Sequence, residues 1–167
     1  MSVKPIIVSQ CSATSRLARF LDGLLRPVIQ RQAECTTFVN GADFIRKLIR
    51  YTDEQHPLRP TTIFATIKIT NFNTIDSHSN MLAVLERFLN DHLARPGIEN
   101  FSIKKIIDLT ALFLNNNQFY YDNKIYRFTK GGPSSLQLTE TLSHIYAYQW
   151  QRLLFEQPSL RNEFYGR

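Results

Sequence analysis

From Thr61 to Thr70 the chain alternates without a break, with Ile63, Ala65, Ile67 and Ile69 on one side and Thr62, Phe64, Thr66, Lys68 and Thr70 on the other. A period of two over this length predicts a strand with one buried apolar face and one polar face, Lys68 lying on the polar one. His56-Pro57-Leu58-Arg59-Pro60 ahead of it and Asn71 to His78 behind it are turn-forming punctuation. Nearly every other apolar run follows the helical period, so the strand demands a mixed architecture. The expectation is class α+β, with helices packed on a small antiparallel sheet.

Ser12 or Thr14 predicts the cap of a first helix whose face is Leu17, Phe20, Leu21, Leu24, Leu25, Val28 and Ile29. Pro27 lacks an amide proton, which predicts a break or kink before the chain runs on to Glu34. A second helix is expected after Asn40, its core face Phe44, Ile45, Leu48, Ile49 and Tyr51, with Arg46, Lys47 and Arg50 opposite. Ser79 predicts a third helix carrying Met81, Leu82, Leu85, Phe88 and Leu89, ended by Arg95-Pro96-Gly97. Ser102 predicts a fourth with Ile103, Ile106, Ile107, Leu109, Leu112 and Phe113, closed by Asn115-Asn116-Asn117. Phe119-Tyr120-Tyr121 and Ile125-Tyr126-Arg127-Phe128 flank Asp122-Asn123, a pair that tolerates left-handed angles, and so predict a hairpin. Lys130-Gly131-Gly132-Pro133 is expected to be a mobile loop. Ser134 or Ser135 then caps a last helix with Leu138, Leu142, Ile145, Tyr146, Trp150, Leu153 and Leu154, ended by Pro158.

A length of 167 residues, 43% of them hydrophobic, fits one domain spanning 1–167. Only 20% of residues are charged, too few for a disordered tail or coiled coil, yet Lys and Arg exceed Asp and Glu to give a net charge of +6. That excess favours a polyanionic partner. Cys11 and Cys35 are too few for a disulfide framework or a structural zinc site. The longest apolar stretch, Ile103 to Leu114, is interrupted by Lys104, Lys105 and Asp108, and Ile6-Ile7-Val8 is too short for a signal core. No membrane is expected, and the reading is intracellular.

Six segments share an order and spacing: Lys4-Pro5-Ile6-Ile7, Phe20-Leu21-Asp22-Gly23-Leu24-Leu25-Arg26-Pro27, Thr37 to Asp43, Pro60 to Thr74, Gly131-Gly132 with Leu138 to Leu142, and Glu163 to Arg167. In that order they resemble the fingers-to-palm portion of reverse transcriptases, most nearly those of Penelope-like retroelements and their domesticated relatives. The resemblance implies a partial RNA-directed DNA polymerase domain, with fingers-like helices over about 1–59 and an incomplete palm over 60–167. It also implies Mg²⁺ as the cofactor of the intact family, held by carboxylates.

The same resemblance places a metal-binding Asp where this chain has Lys68, and an aromatic steric gate where it has Asn73. A unit charge held about 4 Å from a like charge costs roughly 4 kcal/mol at an effective dielectric near 20, and a divalent ion doubles it. The second palm motif departs too, reading Gly132-Pro133-Ser134-Ser135-Leu136, and the paired aspartates of the third are not in this chain. The expectation is a reverse transcriptase-like fragment with no intact catalytic residue, no metal site and no cofactor of its own. Asp76 is a poor replacement ligand, being more simply read as a cap or a solvated turn residue.

The alternative is a non-catalytic module that binds nucleic acid or protein. RNA, single-stranded DNA or an RNA–DNA hybrid would meet Lys4, Asn73, Lys124, Arg127, Lys130, Gly131, Gly132 and Ser134, with no protein partner specified. Tyr120, Tyr121, Tyr126 and Phe128 beside these cations could stack bases, but ordinary cross-strand packing is the simpler reading, because aromatics are enriched in any strand. Arg46, Lys47 and Arg50 read as a solvated helix face, His56, His78, His92 and His144 share no metal spacing, and Trp150 reads as packing.

Overall fold

The computed structural model describes residues 7–8, 12–54, 57–93, 97–155 and 163–167, without the side chains of 153–155. Lys4, Cys11, His56, Arg95-Pro96 and Pro158, and the side chains of Leu153 and Leu154, lie outside these described residues. Five helices carry the fold: α1 (Ser15–Ala33), α2 (Gly41–Asp53), α3 (His78–His92), α4 (Ile103–Asn115) and α5 (Gln137–Phe155). Two antiparallel hairpins accompany them, β1 (Gly97–Ile98) with β2 (Phe101–Ser102) and β3 (Gln118–Tyr121) with β4 (Lys124–Arg127). The class is α+β, as the sequence predicts.

The core lies where α1, α3, α4 and α5 meet. The predicted stripes supply it: Leu21, Leu25 and Ile29 from α1, Leu85, Phe88 and Leu89 from α3, Ile106 and Phe113 from α4, Leu138, Leu142 and Ile145 from α5. Burying a Leu or Phe side chain is worth about 1.5–3 kcal/mol, so this cluster is where the fold gains most of its stability. One buried carboxylate crosses it. Asp22 accepts hydrogen bonds from Arg26 Nε at 2.9 Å, Arg26 Nη2 at 3.1 Å and Thr141 Oγ1 at 2.6 Å, joining α1 to α5. Its two oxygens gain three donors for the hydration they lose.

Several expectations change. α1 runs as one helix through Pro27. Pro27 and Gly23, whose carbonyl loses its donor, both face solvent, where that carbonyl reaches water. The caps of α2 and α4 are Asn40, accepting from Asp43 N at 2.9 Å, and Ser102, accepting from Lys105 N at 3.4 Å. The cap of α3 is Ser77 and not Ser79, because Ser77 has the extended backbone that lets its Oγ accept from Asn80 N. α5 starts at Gln137, beyond both serines expected to cap it. Trp150 is 44% exposed. The Leu138–Leu142–Ile145 stripe continues to Gln149, and Trp150 lies about 100° round the helix from there.

The second helix buries nothing fully. Its apolar face meets the chain end instead of the core. Phe164 stacks on Phe38 at 5.7 Å between centroids and touches Phe44 at 5.8 Å and Tyr51 at 5.4 Å. Backbone bonds complete this box, Phe38 N to Arg167 O and Arg167 N to Thr36 O, each 2.8 Å. Lys47, expected on the solvated side, donates to Thr37 O at 2.7 Å and lies over the Phe38 ring. Ile45 and Ile49 remain about half exposed.

The largest correction concerns Thr61 to Thr70, which forms no strand among the described residues. Its backbone pairs with no other strand among the described residues, and Ile63 is 88% exposed. A period of two requires a neighbouring strand before it can bury a face, and both described sheets are closed local hairpins. The β1–β2 hairpin was not predicted. It turns at Glu99, at φ 52°, and sets Phe101 edge-on against Phe20 at 5.2 Å.

Candidate nucleic-acid interface

The β3–β4 hairpin forms as the sequence predicts. Asp122 and Asn123 both take positive φ, 47° and 55°, the geometry of a two-residue turn matched to strand twist. Its register pairs Gln118 with Arg127, Phe119 with Tyr126, Tyr120 with Ile125 and Tyr121 with Lys124. Cross-strand partners share a face, so one face presents Phe119, Tyr121, Lys124 and Tyr126 and the other Gln118, Tyr120, Ile125 and Arg127. Phe119 stacks on Tyr126 at 5.4 Å and 15° and touches Phe128 at 5.5 Å, so these three rings make the cross-strand packing expected of them. The rest is left to solvent. Tyr120, Tyr121 and Ile125 are 68%, 70% and 73% exposed, on both faces. Lys124 and Arg127 are exposed beside them and form no ion pair among the described residues.

A second group gathers where the hairpin rejoins the body. Lys130 forms a lone antiparallel bridge with Ser77, and Gly131, Gly132 and Pro133, expected as a mobile loop, are buried. Gly131 N donates to Asp76 O at 3.1 Å, Gly132 N to Asn73 O at 3.0 Å, and His78 Nε2 to Gly131 O at 2.9 Å. The two glycines are needed for different reasons. Gly131 has φ +51°, and a Cβ there would collide with Asn73 O, whereas a Cβ on Gly132 would lie 2.8 Å from Thr139 Oγ1. The structure thus brings Asn73, Lys130, Gly131 and Gly132 together, with Ser134 exposed on the turn into α5. Arg127 and Lys130 are three residues apart, at most about 11 Å. Lys124 and Arg127 extend that cationic edge along the hairpin, while Lys68 lies exposed in the unpaired segment.

Asp76 holds this junction. Its Oδ2 accepts from Tyr146 OH at 2.5 Å and Asn80 Nδ2 at 3.2 Å, and its Oδ1 from Ser77 N at 2.6 Å. The Tyr146 hydroxyl, followed by the Ser77 amide, holds the Asp76 carboxyl below the usual carboxylate range. With these lone pairs engaged, Asp76 is a clasp and not a spare metal ligand. Among the described residues no three His, Cys, Asp or Glu side chains converge. Tyr146, His78 and Thr139 were missed as junction residues; Tyr146 lies 70 positions from Asp76 and His78 lies 53 from Gly131, and no local motif encodes such partners.

A cleft of about 360 Å³ between α1 and the β1–β2 turn is lined by Gly23, Pro27, Arg31 and Glu99 among others. Among the described residues no helix is long and apolar enough to cross a membrane. No family model, curated protein or solved structure matches the chain.

Proposed function

We propose that the chain is a reverse transcriptase-like domain without metal-dependent chemistry of its own, and that it binds single-stranded nucleic acid through the β3–β4 hairpin. The observation that carries the binding is the hairpin itself. Tyr120 and Tyr121 project into solvent beside Lys124 and Arg127, which are free of ion pairs among the described residues. Exposed rings offer bases a stacking surface whatever their sequence, and the cations neutralise the backbone between them. A net charge of +6 draws any polyanion toward the molecule. The inactive half of the reading rests on Lys68, an ammonium where the family resemblance puts a metal-binding carboxylate.

The test is fluorescence anisotropy of a labelled oligonucleotide of about 12 residues with the full chain over a salt series. Affinity falls as salt rises, with a slope of roughly 0.7 per phosphate neutralised on a single strand. Tyr121→Ala weakens binding about 5- to 100-fold, the worth of one stacked base. Lys124→Ala flattens the salt slope by about one contact. Binding that is absent, or indifferent to salt, overturns the interface. Primer extension with Mg²⁺ or Mn²⁺ above a no-enzyme control overturns the inactive reading separately.

A further inference from the structure

One cleft is walled entirely by side chains that carry hydrogen-bonding groups. It lies between the last turn of α1, the 3₁₀ turn Glu34–Thr36 and the last turns of α5, holds about 220 Å³, and is lined by Gln32, Thr36, Tyr148, Gln151 and Arg152. Three of these are already engaged. Arg152 Nη1 donates to Asp91 Oδ2 at 2.7 Å and Thr36 Oγ1 donates to Ala33 O at 3.2 Å. The Tyr148 ring is fixed edge-on by Phe88 and His92, at 5.8 and 5.6 Å between centroids, with the Arg167 guanidinium over it. The two glutamines are not engaged. Gln151 is 7% exposed, yet neither its amide nor that of Gln32 makes a hydrogen bond among the described residues. A folded chain rarely buries an amide without a partner, so the pair is placed to receive one from outside the chain.

We infer that this cleft is a binding site for one adenine base. Its size sets the first limit, since it falls below the roughly 300–1,000 Å³ of pockets for drug-sized ligands and has room for a single flat heterocycle. Charge sets the second. The one cation in the lining is neutralised by Asp91, so the cleft selects a neutral group and not a phosphate. The amides set the third. A glutamine side chain holds a carbonyl acceptor and an N–H donor side by side in one plane, and it pairs in bidentate fashion with any edge that offers a donor beside an acceptor.

Two such amides ask for two such edges. Adenine has them, N6–H beside N1 on its Watson–Crick edge and N6–H beside N7 on its major-groove edge, one amine hydrogen serving each. Guanine presents only acceptors on its major-groove edge, and cytosine and uracil have no ring nitrogen on theirs. Tyr148 gives the flat ring an aromatic wall. No residue of the cleft belongs to the β3–β4 hairpin or its junction, so the site stands apart from the strand-binding reading.

The test is a nitrogen–proton NMR titration of the full chain with free nucleosides. Adenosine should shift the side-chain amide signals of Gln32 and Gln151 saturably, and guanosine, cytidine and uridine should bind at least about fivefold more weakly. Gln151→Leu keeps the bulk and removes one amide, weakening adenosine about 5- to 100-fold, and Gln32→Leu does the same from the other edge. 7-Deazaadenosine lacks N7 and binds the unaltered chain more weakly than adenosine does, whereas one of the two leucine variants no longer distinguishes them. Tyr121→Ala leaves adenosine binding unchanged, so loss of oligonucleotide binding with adenosine retained overturns the hairpin interface and leaves this site standing. The proposal is overturned by the absence of saturable shifts up to about 5 mM adenosine, by four nucleosides binding alike, or by adenosine binding that survives both leucine variants. Should a leucine variant fail to fold, the nucleoside series on the unaltered chain decides alone.

Discussion

Two regions with similar apolar patterning end up in opposite surroundings. In α1, α3, α4 and α5 the helical stripes close on one another and leave Leu21, Leu85, Phe88 and Phe113 without solvent contact. In α2 and in residues 61–70 the patterning is as regular, yet α2 buries nothing fully and Ile63 is 88% exposed. Periodicity fixes which side of an element is apolar. Whether that side is buried depends on a second surface of the right shape, which the four helices give each other. α2 obtains such a surface only from Phe164 and its neighbours, and 61–70 obtains none within the described chain.

Truncating a body residue tests the contrast most severely. Phe113→Ala should cost about 3–5 kcal/mol through lost burial and an unfilled cavity, read as a lowered urea midpoint for the whole molecule. Asp22→Asn should cost less, about 1.5–3 kcal/mol, because it weakens charge-assisted bonds to Arg26 and Thr141 between α1 and α5; a neutral result would mean that α1 and α5 are held by apolar packing alone. Phe164→Ala should leave the global midpoint nearly unchanged while α2 amides exchange about tenfold faster, as expected of a local opening unit. Equal loss of protection in α3 would show that α2 and the body unfold together.

Acid should separate the groups more gently. Burial lowers the pKa of His92 and His144 from 6.5, so each favours the fold above that value and loses its contribution as pH falls through its folded pKa. Asp76, lowered from 3.8 chiefly by the Tyr146 hydroxyl, adds stability above that value and loses it at lower pH. Urea midpoints should therefore drop in two stages on acidification. His92→Phe should shrink the first stage, and Tyr146→Phe the second.

What could be read from the sequence was local. The Asp122-Asn123 turn and the Asn40 and Ser102 caps each depend on residues within one or two turns and stand as expected, and so do the core stripes of α1, α3, α4 and α5 except at Phe20, Leu112 and Trp150, which are exposed. The Gly131-Gly132 junction was misread as mobile because its partners, Asn73, Asp76 and His78, lie more than fifty residues upstream. Pro27 was misread because helix-breaking depends on whether the orphaned carbonyl is wet, a property of its surroundings. Of the proposed interface, Lys124 and Arg127 were legible as neighbours of the hairpin aromatics, whereas the clasp by Tyr146 was not.

The bond between Asp22 and Thr141 spans 119 residues, and that between Thr14 and Asn117 spans 103. During synthesis, then, α1 emerges long before the helix that covers it. Its apolar stripe must wait on α3 and α4 as an incomplete wall until α5 has cleared the ribosome, at roughly 5–20 residues per second. For those several seconds the nascent chain displays apolar surface that only α5 can close, so the order of synthesis leaves the core open until its last wall is made.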